Sequence, residues 1–87
     1  MISVIIPTCD RPLAFLHEAI VSVLEQSHTP HEVIVVDNGI NVVDLAELPE
    51  GVTVYRLPPR VGASRSRNFG AAIATGTPLA FLDVISQ

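Results

Sequence analysis

The chain has 87 residues and a formal net charge of −4, with five arginines and no lysine. This balance argues against nucleic acid as a general partner, and the single cysteine excludes an internal disulfide and a cysteine cluster for zinc or iron–sulfur. No apolar run approaches the ~20 residues of a membrane span and the chain lacks the basic start of a signal peptide, so we expect one cytoplasmic domain over residues 1–87.

The first two predicted elements are a strand and a helix. Residues 2–7 form a short apolar, β-branched run, which predicts a buried strand ended by Pro7. Apolar residues at helical spacing then predict a helix over residues 12–26, capped by Thr8 or Asp10. A second strand follows soon after, so the unit is a crossover that joins two parallel strands.

The second strand is the centre of the predicted sheet. Residues 33–36 are all β-branched, so both faces of this strand must be covered. Asp37 and Asn38 follow at its carboxyl end, where open α/β sheets bind their ligands, although Asp and Asn are also common in simple turns. Asp83 repeats the arrangement after an apolar run over residues 79–82. Two acids at the ends of two parallel strands favour a ligand site.

Four further elements are predicted in the second half of the chain. They are a short helix over residues 42–48, an edge strand over residues 52–57, a helix over residues 62–75 and a fourth strand over residues 79–82. The third strand alternates in polarity, which is typical of an edge strand with one buried face. Strands that alternate with helices in this way predict an α/β fold.

Arginines and the cysteine are further candidates for chemistry. Arg60, Arg65 and Arg67 lie within eight positions, which indicates a local anion site at a helix start; a solvated helix face is the alternative. The chain has no lysine, so it has no P-loop. The first strand-to-helix turn has no glycine, so it has no dinucleotide fingerprint. We expect Cys9 to be a small buried side chain rather than a nucleophile, and the three histidines to lie on the surface.

Four segments, in order, resemble one protein family. They are residues 4–8 (VIIPT), 32–39 (EVIVVDNG), 62–70 (GASRSRNFG) and 81–83 (FLD). Together they are similar to the amino-terminal part of the family 2 glycosyltransferases, inverting enzymes with a nucleotide-diphospho-sugar transferase (GT-A) fold. The resemblance implies a three-layer α/β/α domain with a mainly parallel sheet of about four strands, in the order 3-2-1-4. The chain would be the nucleotide-sugar-binding half of such an enzyme, truncated after it.

The resemblance also implies which residues contact the nucleotide-sugar donor. These are Pro7, Thr8, Cys9, Asp37, Asn38, Arg67 and Asn68. Cys9 stands where the family often has an aromatic side chain, and Asn38 stands where it has an acid, although an amide can still hydrogen-bond a base edge. Arg67 is implied to contact the diphosphate.

A divalent metal, Mg or Mn, is implied on the diphosphate, with Asp83 as its ligand. The family continues with further acids at this point, but Val84 and Ile85 supply no oxygen ligand. No residue is assigned as the base that an inverting transfer needs, so we expect donor binding without sugar transfer by this chain alone. The alternatives are a non-enzymatic nucleotide-binding or self-association module, and a receiver domain with Asp37 as phosphoacceptor, which the missing lysine disfavours.

The apolar fourth strand leads to an expectation about assembly. Residues 79–82 are apolar throughout, but no later strand or helix follows them in the 87 residues. An uncovered apolar edge favours pairing with a second copy. We therefore expect a homodimer or higher oligomer through this sheet edge.

Overall fold

The computed structural model describes residues 1–10, 12–25, 32–40 and 48–80. Its elements are β1 (Ile2–Thr8), α1 (Leu13–Leu24), β2 (Glu32–Asp37), β3 (Val52–Arg56), α2 (Ala63–Ile73) and β4 (Thr77–Ala80). Most of the predicted helix over residues 42–48, the end of the predicted fourth strand and Asp83 lie outside the described residues.

The strands form one sheet in the order β3-β2-β1-β4, and every pairing between described strands is parallel. This confirms the predicted sheet and its order. The registers place Thr8 of β1 opposite Asp37 of β2, and Asp37 opposite Arg56 of β3. Three polar residues therefore lie side by side at the carboxyl edge of the sheet.

Two apolar clusters, one on each face of the sheet, make up the core. Successive side chains of a strand point to opposite faces, so β1 and β2 contribute alternate residues to each cluster. The α1 face holds Val4, Ile6, Leu16, Ile20, Val23, Val33, Val35 and Val52. The α2 face holds Ile5, Ile34 and Val36, with Leu57, Phe69, Ile73 and Ala74 packed against them. The predicted three-layer architecture is therefore confirmed.

Helix α2 approaches β1 closely at a glycine. A Cβ atom built on Gly70 would lie 2.5 Å from Cγ2 of Ile5, much closer than a van der Waals contact. Only a residue without a side chain allows this spacing. The close contact packs the second half of α2 directly against the middle of β1.

The expectation that Pro7 ends the first strand is wrong. β1 continues to Thr8, and Pro7 pairs with Val36 of β2. Proline removes only its own N–H from the hydrogen-bond ladder, so the residues on either side keep the parallel register.

The predicted cap of the first helix is also wrong. Pro12 is the N-cap residue of α1, with no side-chain hydrogen bond, and its carbonyl accepts from the N–H groups of Phe15 and Leu16. Thr8 is still part of β1, and Asp10 has a φ of 52°, so neither residue is placed to cap the helix. α1 spans Leu13–Leu24, so it lies within the predicted range of residues 12–26 and is shorter than predicted.

The boundary between α2 and β4 lies earlier than predicted. The helix ends at Ile73, and Ala74 is already extended, with a ψ of 140°. β4 begins at Thr77 and includes Pro78, in register with Ile2 and Ser3 of β1. The helix thus ends before both predicted stop residues, Gly76 and Pro78, and Pro78 lies inside the strand.

Within the described residues, no helix has the length and apolar character needed to cross a membrane.

Candidate functional site

The candidate site lies where β1, β2 and β3 end at the carboxyl edge of the sheet. Asp37 is its buried centre, since only 1% of its side chain is exposed. One carboxylate oxygen, Oδ1, accepts from the N–H of Gly39 at 2.9 Å, and the other, Oδ2, accepts from Nη1 of Arg56 at 2.8 Å. Asp37 thus closes the turn after β2 and joins it to β3.

Arg56 contacts this turn at three places. Besides its bond to Asp37, it donates from Nη2 to the carbonyl oxygen of Gly39 at 2.6 Å and to that of Ile40 at 3.1 Å. About a third of the side chain remains exposed, at 34%. A planar guanidinium suits this arrangement because its donors point in fixed directions. The turn over residues 37–40 is therefore held from the edge strand.

Asn38 connects the sheet to the second helix. Its Nδ2 donates to the carbonyl oxygen of Thr8 at 3.2 Å and to Oγ of Ser66 at 2.8 Å. Ser66 in turn donates from Oγ to the carbonyl oxygen of Gly62 at 3.0 Å. Both Asn38 and Ser66 are buried. The side chain of Asn38 thus joins the end of β1 to the first turn of α2.

The turn after β1 packs directly on the turn after β2. A Cβ atom on Gly39 would lie 2.5 Å from the backbone nitrogen of Asp10, so a glycine is required there. The expectation that Cys9 is buried is wrong: the residue is partly exposed, and its Sγ donates to the carbonyl oxygen of Asn38 at 3.7 Å. Arg60 lies 3.9 Å from the Asp10 carboxylate.

The sequence-predicted donor contacts fall into two groups by exposure. Pro7, Thr8, Asp37 and Asn38 are buried at the edge of the sheet. Cys9 and Arg67 are partly exposed and Asn68 is exposed. Arg65 and Arg67 lie in the first half of α2, as predicted, and Arg65 is exposed there. The structure brings the ends of β1 and β2 and the start of α2 together.

Among the described residues, no group of three or more His, Cys, Asp or Glu side chains is arranged to hold a metal ion. The predicted ligand Asp83 lies outside that part. The sequence after it, Val84, Ile85 and Ser86, offers one hydroxyl and no further carboxylate. Mg²⁺ and Mn²⁺ prefer carboxylate oxygens, so this donor set does not fit a carboxylate-rich metal site.

Two residues of this edge were not predicted from the sequence. Neither Arg56 nor Ser66 is among the residues that the sequence pattern or the family resemblance indicates as contacts. The register between β2 and β3 would have indicated Arg56, because this register places Arg56 directly opposite Asp37. Ser66 carries no comparable signal, since serine is common in the first turns of helices.

A second polar cluster lies at the opposite, amino edge of the sheet. Oε2 of Glu32 accepts three hydrogen bonds of 2.7 Å, from Oγ of Ser3 and from both N–H and Oγ1 of Thr75. The N–H of Gly76 donates to Oγ of Ser3 at 2.9 Å. The bonds from Ser3 and then Thr75 stabilise the charged form, which lowers the pKa of Glu32 from 4.5 to about 2.

One comparison with known proteins bears on this site. The family model described as Glycosyl transferase family 2 matches residues 3–84. The match includes both turns at the carboxyl edge of the sheet, the whole of α2 and Asp83.

Proposed function

Because the chain belongs to glycosyl transferase family 2, we propose that it binds a nucleotide-diphospho-sugar donor at the carboxyl edge of its sheet. One observation supports this location most directly. Asn38 hydrogen-bonds both the end of β1 and Ser66 of α2, so the turns that carry the predicted donor contacts form one unit with the arginine-bearing helix. Open α/β sheets bind ligands at this edge.

The predicted contacts differ in how much of each side chain is exposed, which suggests two different roles in binding. Cys9, Arg67 and Asn68 have exposed atoms and would contact the ligand directly, with the guanidinium of Arg67 facing the diphosphate. Asp37 and Asn38 are buried and would hold the turn that presents backbone groups to the nucleoside. Pro7 and Thr8, which are also buried, would line the bottom of the nucleoside pocket.

Metal would contribute little to this binding. Family members usually use a divalent cation with the nucleotide sugar, and Asp83 is the residue that would hold it here. Since Val84 and Ile85 follow, we expect manganese to raise nucleotide affinity only slightly.

Donor binding is tested by titration calorimetry of the chain with uridine and guanosine diphosphates, with and without manganese. We expect weak binding that favours one base and changes little with metal. An Arg67→Gln variant should bind more weakly, by about tenfold for one lost charge-assisted bond. A Glu18→Gln variant, changed on the exposed face of α1, is the matched control. The absence of heat at millimolar nucleotide would refute donor binding, and a large gain from manganese would refute the account of Val84 and Ile85.

Sugar transfer is a separate question from donor binding. An inverting transfer needs a base that takes the proton of the acceptor hydroxyl, and no residue of the 87 is assigned to it. We therefore propose that the chain alone binds the donor without transferring sugar. The residues after Asp83 favour a second candidate, a nucleotide-binding or self-association module without catalysis. Sustained product formation from a nucleotide sugar by the pure chain would exclude that module.

A further inference from the structure

We infer that Arg56 is a positioning residue for the nucleoside side of the site, an inference that rests on the proposed nucleotide binding. Arg56 lies outside the predicted donor contacts, at the last position of edge strand β3. It holds the turn over residues 37–40, and so sets the affinity for the base and ribose without touching the diphosphate.

The contacts of Arg56 reach both ends of that turn. Nη1 contacts the carboxylate of Asp37 at the start, and Nη2 contacts the carbonyl oxygens of Gly39 and Ile40 at the end. Asn38, between them, connects to β1 and α2 through its own side chain. Loss of Arg56 would remove its three hydrogen bonds to the turn, while the bonds of the Asn38 side chain and the bond from the Gly39 N–H to Asp37 Oδ1 remain.

The chemistry of arginine is required for this arrangement. One planar group supplies donors to a carboxylate and to two carbonyl oxygens at once, whereas a lysine ammonium is a compact point charge. Lysine at this position would keep a positive charge near the buried carboxylate of Asp37, but it would lose the fixed geometry that reaches Gly39 and Ile40. A lysine variant therefore separates the charge of Arg56 from its geometry.

The diphosphate side of the site depends on other residues. The predicted contact Arg67 lies in α2, whereas the three hydrogen bonds that Arg56 donates to Asp37, Gly39 and Ile40 all reach the turn after β2. A positioning role thus predicts that a ligand with a base loses affinity while a bare diphosphate does not. If Arg56 contacted the phosphates directly, both ligands would lose affinity.

The test measures the affinities of wild type, Arg56→Lys and Arg56→Met for two probes, pyrophosphate and whichever of uridine or guanosine diphosphate the wild type binds more tightly. We expect nucleoside diphosphate affinity to fall about tenfold or more in both variants, with pyrophosphate affinity changed less than about twofold. Thr53→Val, an exposed change on the same strand, is the matched control. Urea unfolding of each variant shows that it is folded, and Arg56→Lys decides the outcome if Arg56→Met does not fold.

The outcomes separate this inference from the proposed function. If the wild type binds no nucleoside diphosphate, both fail. If the wild type binds and Arg56→Lys binds equally well, only the positioning role of Arg56 fails. An equal loss for both probes would also refute it, because it would indicate direct contact with the phosphates.

Discussion

Asn38 shows how a single residue can serve the fold at a position where the family resemblance implies a ligand contact. Its Nδ2 group donates two hydrogen bonds inside the protein, to Thr8 and Ser66. A carboxylate has no hydrogen to donate, so the acid that the family places here could not make the bond to the Thr8 carbonyl. The amide is thus matched to the local hydrogen bonds of this chain.

We predict that Asn38→Asp lowers the free energy of unfolding by about 1–3 kcal/mol, the cost of a buried polar group left without its partner. The substitution would also place a negative charge against the carbonyl oxygen of Thr8 in a buried position. Urea unfolding at neutral pH measures the loss. Asn68→Asp, an exposed change of the same kind on α2, should have little effect. Equal stability of Asn38→Asp and wild type would show that Ser66 and Thr8 find other partners.

At the scale of elements, Glu32 holds together parts of the chain that meet at the amino edge of the sheet. It lies in β2 and accepts from Ser3 of β1 and from Thr75, in the connection between α2 and β4. Gly76, next along that connection, donates to Ser3. One carboxylate oxygen thereby fixes the point at which β4 joins the sheet.

We predict that this cluster makes the stability of the protein depend on pH. The pKa of Glu32 is about 2 in the folded chain and 4.5 ordinarily, so the unfolded chain binds more protons between these values. The stability that Glu32 contributes is fully present above pH 4.5 and is lost as the pH falls towards about 2. In Glu32→Gln the contribution is absent at every pH, so the difference from wild type should shrink on acidification.

Urea unfolding at neutral pH and at about pH 3 tests this prediction. Glu18→Gln removes an exposed carboxylate from α1 and serves as the control for the loss of one charge. A difference between wild type and Glu32→Gln that stays constant with pH would show that the hydrogen bonds, and not the charge of Glu32, stabilise the cluster.

For the molecule as a whole, the two outer strands of the described sheet bear on self-association. β4 pairs with β1 and lies at one end of the described sheet, and β3 lies at the other end. The apolar sequence that begins in β4 favours pairing of this edge with a second copy over the alternating edge of β3.

We predict a dimer or higher oligomer at micromolar concentration, measured by light scattering. Leu79→Lys should reduce the mass to that of a monomer, because a charge at this edge opposes the approach of a second sheet. Thr53→Lys places the same charge on β3, the opposite edge, and should leave the mass unchanged. A monomeric wild type would contradict the prediction, and an unchanged mass of Leu79→Lys would locate the contact elsewhere.

Much of this fold could be predicted from the sequence because its signals are local. The β-branched run of β2, the helical spacing in α1 and the polarity pattern of β3 each report which faces of an element are buried. The four family segments supplied the strand order. The β-branched run of residues 33–36 also predicted Asp37 and Asn38 at a strand end, and in the structure β2 ends at Asp37 with Asn38 directly after it.

Tertiary structure alone decided how the site is held together, because its bonds join residues far apart in the chain. The bond between Arg56 and Asp37 spans 19 residues and the bond between Asn38 and Ser66 spans 28. Each depends on strand register or helix position, which no local pattern reports. The same reason explains why the first strand was predicted to end at Pro7. Proline is a local signal for the end of a strand, but pairing with β2 extends β1 to Thr8.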